Sequence, residues 1–460
     1  MPPGLGPDGG PAVLVELAEW DQVGPEQDPR LRGISLADDV SAQHLAQELR
    51  SRVDIREGRH GVEITSTSHV GRVDVGPLRI AIRPKLPAMP LARLLRYAYG
   101  LRDVRTVEET RAPATRHGLH DLLIAMLAAE VEELVHRGLA RRYVPLLERL
   151  ESPRGRIDLE ELIRQGGAAK EARLPCHHFE RRVDWHLNQV LRAGLDVAAR
   201  MSEDRDLRRR VNRLAEMFAG VERKATLDAG DIDRAERGLT RLTAANGPAL
   251  TIIRLLHDML GVAFDPVRQP IRMPGFLFDM NTFFQRLLSR FLHDNLTGQR
   301  IKDEWAIRNV FAYAPDANPR RRTAPQPRPD YALFHGNSLR AFLDAKYRDT
   351  WARSLPVEWL YQLSIYALAS PAGVSVLLYA SMAGEAQDEQ LDVRQPVAWS
   401  SKGQASVILR PVPLLGLGEL LDPDRACSLA RERRGWAEEL VVLRTRKATR
   451  RGQGTDVSAA

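Results

Sequence analysis

The chain has 460 residues, 28% charged and 43% from the hydrophobic set, which is the composition of a globular protein with two or three domains. No apolar run approaches the roughly 20 residues of a membrane-spanning helix, and the Pro- and Gly-rich start lacks the features of a secretory signal. Two cysteines make no disulfide framework, so we expect a cytoplasmic protein with no membrane contact, and the net charge of +7 favours a polyanionic partner without identifying one.

The first part of the chain is predicted to be β-rich. A short strand over residues 12–17 and one helical insert over 41–50 accompany a series of segments in which apolar and polar residues alternate. These alternating segments are 53–56, 61–65, 71–75 and 78–83.

Three basic residues alternate at the end of this β-rich region. Arg79, Arg83 and Lys85 place their charges on one face of a strand. Such a face is usually only solvated, and a contact with a partner protein is the alternative.

Helical periodicity then takes over. Leucines and alanines recur at three- and four-residue spacing over 91–99 and 120–137, and a charged helical region follows over 180–260 with a break at Gly247-Pro248. Between them, an extended stretch over 141–145 leads to Arg154-Gly155-Arg156, which looks like a turn before a helix capped by Ser152 or Asp158.

The last third of the chain alternates helices with strands. Its predicted elements are a helix over 278–294, strands over 330–334 and 339–346 joined by a turn at 335–338, a helix over 359–369, a buried central strand over 374–380 and a strand over 407–411. Helix, hairpin, helix and strand is the order of an α/β nuclease core, which has a central mixed sheet. Together with the β-rich first part and the helical middle region, this predicts an α+β multidomain fold for the whole chain.

Two carboxylates and a lysine carry the candidate chemistry. If the two strands pair as a hairpin, Asp330 and Asp344 converge, and Lys346 points to the same side as Asp344. Converging carboxylates repel each other, and a divalent cation such as Mg²⁺ relieves the repulsion. The ammonium of Lys346 is suited to orienting or deprotonating a metal-bound water. The alternative is an ordinary surface ion pair, but the largely apolar segment 340–344 predicts that Asp344, as the last residue of a buried strand, is itself buried.

These residues resemble the PD-(D/E)xK nuclease superfamily. The resemblance lies in Pro329-Asp330, Asp344-Ala345-Lys346 and the helix that carries Gln362 and Tyr366. It implies that Asp330 and Asp344 bind Mg²⁺, with Mn²⁺ as a substitute, and that Lys346 acts on the attacking water. It also implies that Gln362 and Tyr366 support the site or contact the DNA backbone.

Further segments are similar to the family of McrC proteins, the nuclease subunits of the McrBC modification-dependent restriction systems. They occur in the expected order between residues 70 and 366: Val70-Gly71, Ile80 to Leu86, Leu91 to Leu95, Arg154 to Asp158, Leu174-Pro175-Cys176, Phe278 to Asn281 and Asp344 to Tyr347.

This resemblance implies a DNA endonuclease of a 5-methylcytosine restriction system, a phage defence. Such a subunit docks on and stimulates an McrB-like AAA+ GTPase ring and cuts double-stranded, methylated DNA. The sequence has no GxxxxGK[ST] loop, so we expect no nucleotide to bind to this chain itself. The implied domains are a β-rich partner-docking domain at 1–110, a helical region at 111–262, the nuclease domain at 263–440 and a disordered tail at 441–460.

One position departs from the superfamily. The helix that often supplies an additional acidic residue carries Gln285 here, whose amide has no charge to offer a metal. Asp279 is a nearby candidate auxiliary acid, as is Glu304, and the number of metal ions stays open. Arg320, Arg321 and Arg322, in a Pro-rich loop ahead of Asp330, are candidate contacts for DNA phosphates.

The departure keeps two alternatives open. One is a catalytically silent adaptor that only activates an NTPase ring, and the other is a stand-alone RecB-like exonuclease. A zinc site at Cys176-His177-His178 is disfavoured, since three adjacent residues converge poorly on one ion.

Overall fold

The computed structural model describes residues 13–101, 118–164, 173–260, 275–314, 317–394 and 405–443. The chain divides into two units. The first contains residues 1–66, 70–84 and 102–278, and the second contains residues 67–69, 85–101 and 279–460. The predicted domain boundaries stay a prediction, and the predicted disordered tail lies almost entirely outside the described residues.

The described strands are β1 Val13–Ala18, β2 Gln22–Val23, β3 Val53–Gly58, β4 Gly61–Ser66, β5 His69–Val75, β6 Leu78–Arg83, β7 Arg142–Leu150, β8 Arg156–Ile157, β9 Leu174–Arg182, β10 Gly275–Asp279, β11 Gln299–Asp303, β12 Tyr331–His335, β13 Ser338–Lys346, β14 Val374–Ser381, β15 Glu389–Val393 and β16 Ala405–Pro413.

The described α-helices are α1 Val40–Leu49, α2 Ala88–Tyr99, α3 Leu119–His136, α4 Leu159–Arg164, α5 His186–Met201, α6 Arg205–Glu216, α7 Ala229–Arg237, α8 Gly247–Leu260, α9 Met280–Asn295, α10 Val357–Ala369, α11 Leu414–Leu420 and α12 Ala430–Val441. The mixture of helices and several sheets confirms the expected α+β class. Among the described residues, the helices are too short or too polar to cross a membrane.

In the first unit, the predicted alternating segments all form strands. β1 pairs in parallel with β6, β5 pairs with β6 on its other side, and β10 adds to β5. A second sheet has the order β2-β4-β3, and a third the order β7-β9-β8. Period-two hydrophobicity was sufficient to locate β4 to β6 because each of these strands buries one face.

Two glycines of this unit occupy positions that other residues fit poorly. Gly71 has φ +139°, and a Cβ there would lie 2.2 Å from the backbone oxygen of Phe276 on β10. Gly155 has φ +74° and would meet the backbone oxygen of His177 at 2.3 Å. Glycine at position 155 therefore allows the Arg154-Gly155-Arg156 turn to place β8 close against β9. The Asp158 carboxylate accepts a hydrogen bond from the Glu161 amide at 3.0 Å, so Asp158 is the cap of α4, one of the two predicted candidates.

The helical region of this unit begins later than predicted. The prediction placed its start at Glu180, but residues 174–182 form β9, which pairs along its whole length with β7. This strand is held by a partner about 30 residues away in the sequence, which local periodicity does not detect. The predicted break at Gly247-Pro248 is confirmed as the start of α8.

The second unit is built on a six-stranded mixed sheet of order β11-β12-β13-β14-β16-β15. β14 is buried at every residue and lies between two parallel neighbours, as predicted for a central strand. Helix α10 packs on one face through Leu363 and Tyr366, which join a cluster with Phe342 and Leu377. Helix α9 packs on the other face, where its backbone oxygen at Gln285 accepts the Tyr331 hydroxyl at 2.6 Å. The two outer strands, β11 and β15, were not predicted.

Candidate active site

The candidate site lies at one end of the β12–β13 hairpin. The strands pair with Tyr331 opposite Leu343 and Ala332 opposite Phe342, and a turn at Gly336 with φ +58° joins them. Extending this register by one residue places Asp330 opposite Asp344. The Asp330 Oδ2 atom accepts a hydrogen bond from the backbone amide of Ala345 at 2.7 Å, which ties the two strands together at the site. The predicted hairpin is confirmed.

The two carboxylates lie in a poorly solvated, negatively charged setting. Asp344 is 1% exposed, and its Oδ2 lies 2.7 Å from the Lys346 ammonium without a hydrogen bond of normal geometry. Burial raises the pKa of Asp344, against the opposing attraction of Lys346. Burial and then the charge of Asp344 raise the pKa of Asp330 to about 7. The cluster of two acids and one cation is therefore short of positive charge when both acids are ionised.

Gln285 on α9 completes the surroundings of Asp330. Its side-chain amide donates to Asp330 Oδ1 at 3.1 Å, while its backbone oxygen is held by Tyr331. The side chain is thus fixed as a donor to the carboxylate, and its carbonyl oxygen is the part left to face a water or a metal.

The other candidate auxiliary acids have different positions. The Asp279 carboxylate caps α9, accepting from the Asn281 amide at 2.9 Å and the Thr282 hydroxyl at 2.7 Å. These two hydrogen bonds give Asp279 a structural role at the start of the helix. Glu304 is exposed, and its backbone amide donates to the backbone oxygen of Asp330 at 2.9 Å. In the part of the chain that the structure describes, no three His, Cys, Asp or Glu side chains form a metal-binding group.

Gln362 and Tyr366 lie on the face of α10 that covers the sheet. The Gln362 amide donates to the Tyr366 hydroxyl at 2.7 Å, and the Tyr366 ring lies 6.3 Å from that of Phe342, two residues before Asp344 on β13. Burial, with smaller effects of the Asp344 and Asp330 charges, raises the pKa of Tyr366 to about 12. The pair is therefore a neutral support on the same sheet face as the carboxylates.

Sequence reasoning missed three contacts at this site. The Lys346 ammonium and the Arg348 guanidinium each lie 5.8 Å from the centre of the Trp359 ring. Trp359 stands three residues before Gln362 on α10, and this helical spacing was the available signal. The Asn281 side chain on α9 accepts a hydrogen bond from the Tyr347 amide at 2.9 Å and so anchors the end of β13.

The predicted basic contacts fall elsewhere. Arg320, Arg321 and Arg322 are exposed in the loop before β12, where the Asn318 side chain bonds to the Arg322 backbone. Their contact with DNA stays a prediction.

In the first unit, Arg79 is paired with Asp74 at 3.1 Å and Arg83 with Glu16. Lys85 is exposed in the second unit. A partner contact of these three also stays a prediction. At the disfavoured zinc position, Cys176 is buried and His177 contacts Asp158 at 2.9 Å.

The comparison with protein-family models identifies one family. The sequence model of the McrBC 5-methylcytosine restriction system component family matches residues 64–380. Among solved structures, the chain is similar to one in the refined half-complex of the tetradecameric assembly of Thermococcus gammatolerans McrB AAA+ hexamers with bound McrC. The TM-score is 0.60 at 20% identity, over 92% of this chain and 99% of that chain.

A chain of the cryo-EM structure of the Thermococcus gammatolerans McrBC complex is also similar, with a TM-score of 0.45 and 19% identity, over 62% of this chain and 88% of that one. No curated protein matches. At such identities the first likeness shows the fold, and the second adds no argument.

Proposed function

Because the chain belongs to the McrBC 5-methylcytosine restriction system component family, we propose that it is the DNA-cutting subunit of a modification-dependent restriction complex. The activity proposed is a Mg²⁺-dependent endodeoxyribonuclease of the PD-(D/E)xK type. Its substrate is double-stranded DNA that carries 5-methylcytosine, and its partner is an McrB-like AAA+ GTPase ring.

The observation that carries the nuclease proposal is the arrangement of Asp330, Asp344 and Lys346. A buried carboxylate whose Oδ2 lacks a normal hydrogen bond, next to a second carboxylate with a raised pKa, is a costly arrangement in a protein that binds nothing there. A divalent cation offsets this cost. The donor set fits Mg²⁺, which binds through one or two carboxylates and keeps several waters.

In this proposal Asp330 and Asp344 would hold the metal, which would supply Lewis acidity. Asp330 is aimed by the Ala345 amide and by Gln285, so its orientation is set before any ligand arrives. The Lys346 Nζ atom lies beside Asp344, where it orients the attacking water and stabilises negative charge on the scissile phosphate. Trp359 limits the conformations of this lysine.

Docking on a partner is supported by an exposed apolar face in the first unit. Tyr143 and Leu147 on β7 and Phe179 on β9 are 64%, 54% and 65% exposed, and the β7–β9 register places all three on one side of the sheet. Exposed apolar residues clustered in this way are typical of protein interfaces. We propose this face, in addition to Arg79, Arg83 and Lys85, as a contact with the AAA+ ring.

The proposal is tested with purified protein, an McrB-like AAA+ GTPase from the same source, and methylated or unmethylated plasmid in Mg²⁺ or Mn²⁺. Nicking that needs methylation, GTP and the partner supports it. Wild-type protein that stimulates GTP hydrolysis but never cuts DNA would establish the adaptor alternative, which rests on Gln285. Degradation of free ends without the partner would establish the exonuclease alternative.

A further inference from the structure

The outer edge of the six-stranded sheet presents its polar side chains on two different faces. On β11, Asp303 points to the α9 face, where its carboxylate accepts from Ser289 at 2.9 Å and contacts His293 at 3.3 Å. Strand alternation then turns Arg300 and Lys302 to the opposite face. This is the face that carries Asp344 and the Tyr366 helix.

On this face, cations and aromatic rings contact one another in series. The Lys302 ammonium lies 4.5 Å from the centre of the Trp305 ring and 5.0 Å from that of Phe334. The Arg300 guanidinium lies 5.6 Å from Phe334, and the rings of Trp305 and Phe334 are 5.4 Å apart. We refer to Arg300, Lys302, Trp305 and Phe334 as the β11 ladder.

Among the residues that the structure describes, the two cations of the ladder have no acidic partners. Within the described part of the chain, no carboxylate lies within ion-pair distance of Arg300 or Lys302, whereas Arg210, Arg254 and Arg410 are all paired. Arg300 donates only to the Gly336 backbone oxygen at 3.2 Å and to Asn337 Oδ1 at 3.1 Å. Their positive charge is therefore available to an anion from outside.

The ladder begins beside the candidate active site. Lys302 pairs with Ala332 and Asp303 with Tyr331, so the next residue of each strand places Glu304 opposite Asp330. The Glu304 amide indeed donates to the Asp330 backbone oxygen. From there, Trp305, Lys302 and Arg300 follow the edge away from the carboxylates, towards the β12–β13 turn.

We propose that the β11 ladder binds the sugar-phosphate backbone of the DNA strand next to the cleavage point. Arg300 and Lys302 are two residues apart on one strand face, about 6.7 Å along the strand, similar to the separation of successive phosphates of a nucleic acid strand. The aromatic rings hold both cations in place, which lowers the entropy lost when phosphates bind. The inference rests on the proposed nuclease function and adds a binding subsite to it.

The test measures binding of a short DNA duplex to the full chain, alone and with its AAA+ partner, with Ca²⁺ replacing Mg²⁺ to prevent cutting. The variants are Arg300→Gln, Lys302→Gln and Trp305→Leu. The control is Arg434→Gln, which removes an exposed arginine that has no ion pair among the described residues. It lies on α12, a helix that packs against α9 on the other side of the sheet. Thermal melting shows whether each variant is folded.

Each of the two cation variants is expected to weaken binding several-fold and to lower the slope of log K against log salt by about 1. Trp305→Leu removes no charge, so the affinity should fall while the salt slope stays close to that of the wild type. A merely structural role of Trp305 would appear as a lowered melting temperature instead.

Two outcomes overturn the ladder and leave the proposed function intact. In the first, the wild-type protein binds and cuts DNA, and the ladder variants have the same DNA affinity and salt slope as the wild type or as Arg434→Gln. The other is a set of ladder variants that bind DNA normally and lose GTPase stimulation, which would make the ladder a protein contact. A wild-type protein that binds no DNA, alone or with its partner, overturns both proposals.

Discussion

Asp330 and Asp344 face each other across the β12–β13 hairpin, and the carboxylate of Asp330 is tied to the strand of Asp344 by the Ala345 amide at 2.7 Å. Each acid contacts a different group: the neutral Gln285 amide donates to Asp330, and the Lys346 ammonium pairs with Asp344.

Asp344→Asn should abolish DNA cutting. Removal of a metal-binding charge costs several kcal/mol of transition-state stabilisation, so we expect a loss of about a thousandfold or more in the cleavage rate. Plasmid nicking in Mg²⁺ with the AAA+ partner measures it. Stimulation of GTP hydrolysis should be unchanged, and cutting within tenfold of the wild type would contradict the assignment.

The stability of the metal-free protein should depend on pH through Asp330. Its pKa is raised to about 7 in the folded state, so between about pH 4 and 7 the folded protein keeps a proton that the unfolded chain has lost. The free energy of unfolding should therefore fall as the pH rises through this window and level off above it.

Asp330→Asn should remove that part of the pH dependence and stabilise the metal-free protein near pH 8 by a few kcal/mol. Melting curves from pH 4 to 8 measure both effects. Glu385→Gln, at an exposed carboxylate without an ion pair, is the control. If melting temperature depends on pH equally in the wild type and in Asp330→Asn, the prediction is refuted.

Gln285→Glu should make the stability of the protein depend more strongly on a bound metal. A third carboxylate beside Asp330 repels the first two, so the metal-free protein should lose on the order of 1–2 kcal/mol of stability. Mg²⁺ or Mn²⁺ should restore it, and the metal concentration needed for half-maximal cutting should decrease. Melting with and without metal, and metal titrations of activity, test this. Gln285→Ala, which only deletes the 3.1 Å hydrogen bond, separates loss of the amide from gain of charge.

Lys346→Met should destabilise the metal-free protein, because it leaves the buried Asp344 carboxylate without its cation. A loss of about 3 kcal/mol is expected at pH 8. The double variant with Asp344→Asn should regain most of it, since neither charge is then left unpaired. Denaturant unfolding of the single and double variants gives the coupling energy between the two residues. If the changes in the free energy of unfolding simply add, the 2.7 Å pair contributes nothing to stability.

The combined substitution Tyr143→Ser and Phe179→Ser should reduce GTPase stimulation at least tenfold, because it removes two exposed aromatic side chains from the proposed docking face. Since both are solvated in the free chain, melting should change little. Val40→Ser, at an apolar residue that is 78% exposed on α1, is the matched control. Unaltered stimulation by the double variant would place the partner contact elsewhere.

Much of the site could be predicted from the sequence because it is local. Asp330, Asp344 and Lys346 lie on two strands joined by a short turn, so strand alternation and hairpin pairing were enough to bring them together. Gln362 and Tyr366 are one helical turn apart, and the structure shows them hydrogen-bonded. The same local signals located β3 to β6 and the buried strand β14.

Contacts across long stretches of chain escaped prediction. Strand β9 was read partly as helix because its partner β7 is distant in the sequence, and β11 was missed because it is a short edge strand with mixed polarity. Gln285 was recognised as a departure, but its hydrogen bond to Asp330 depends on how α9 packs across the sheet.

The sequence by itself thus determined which acids and which lysine form the candidate site, since strand and helix periods operate over a few residues. Only the tertiary structure decided the electrostatic state of that site. The pKa of Asp330 near 7 arises because packing places a second carboxylate beside it, and within the described residues packing keeps carboxylates away from Arg300 and Lys302. Such charge–charge distances are properties of the packed chain, and no local pattern encodes them, although the apolar residues before Asp344 did predict its burial.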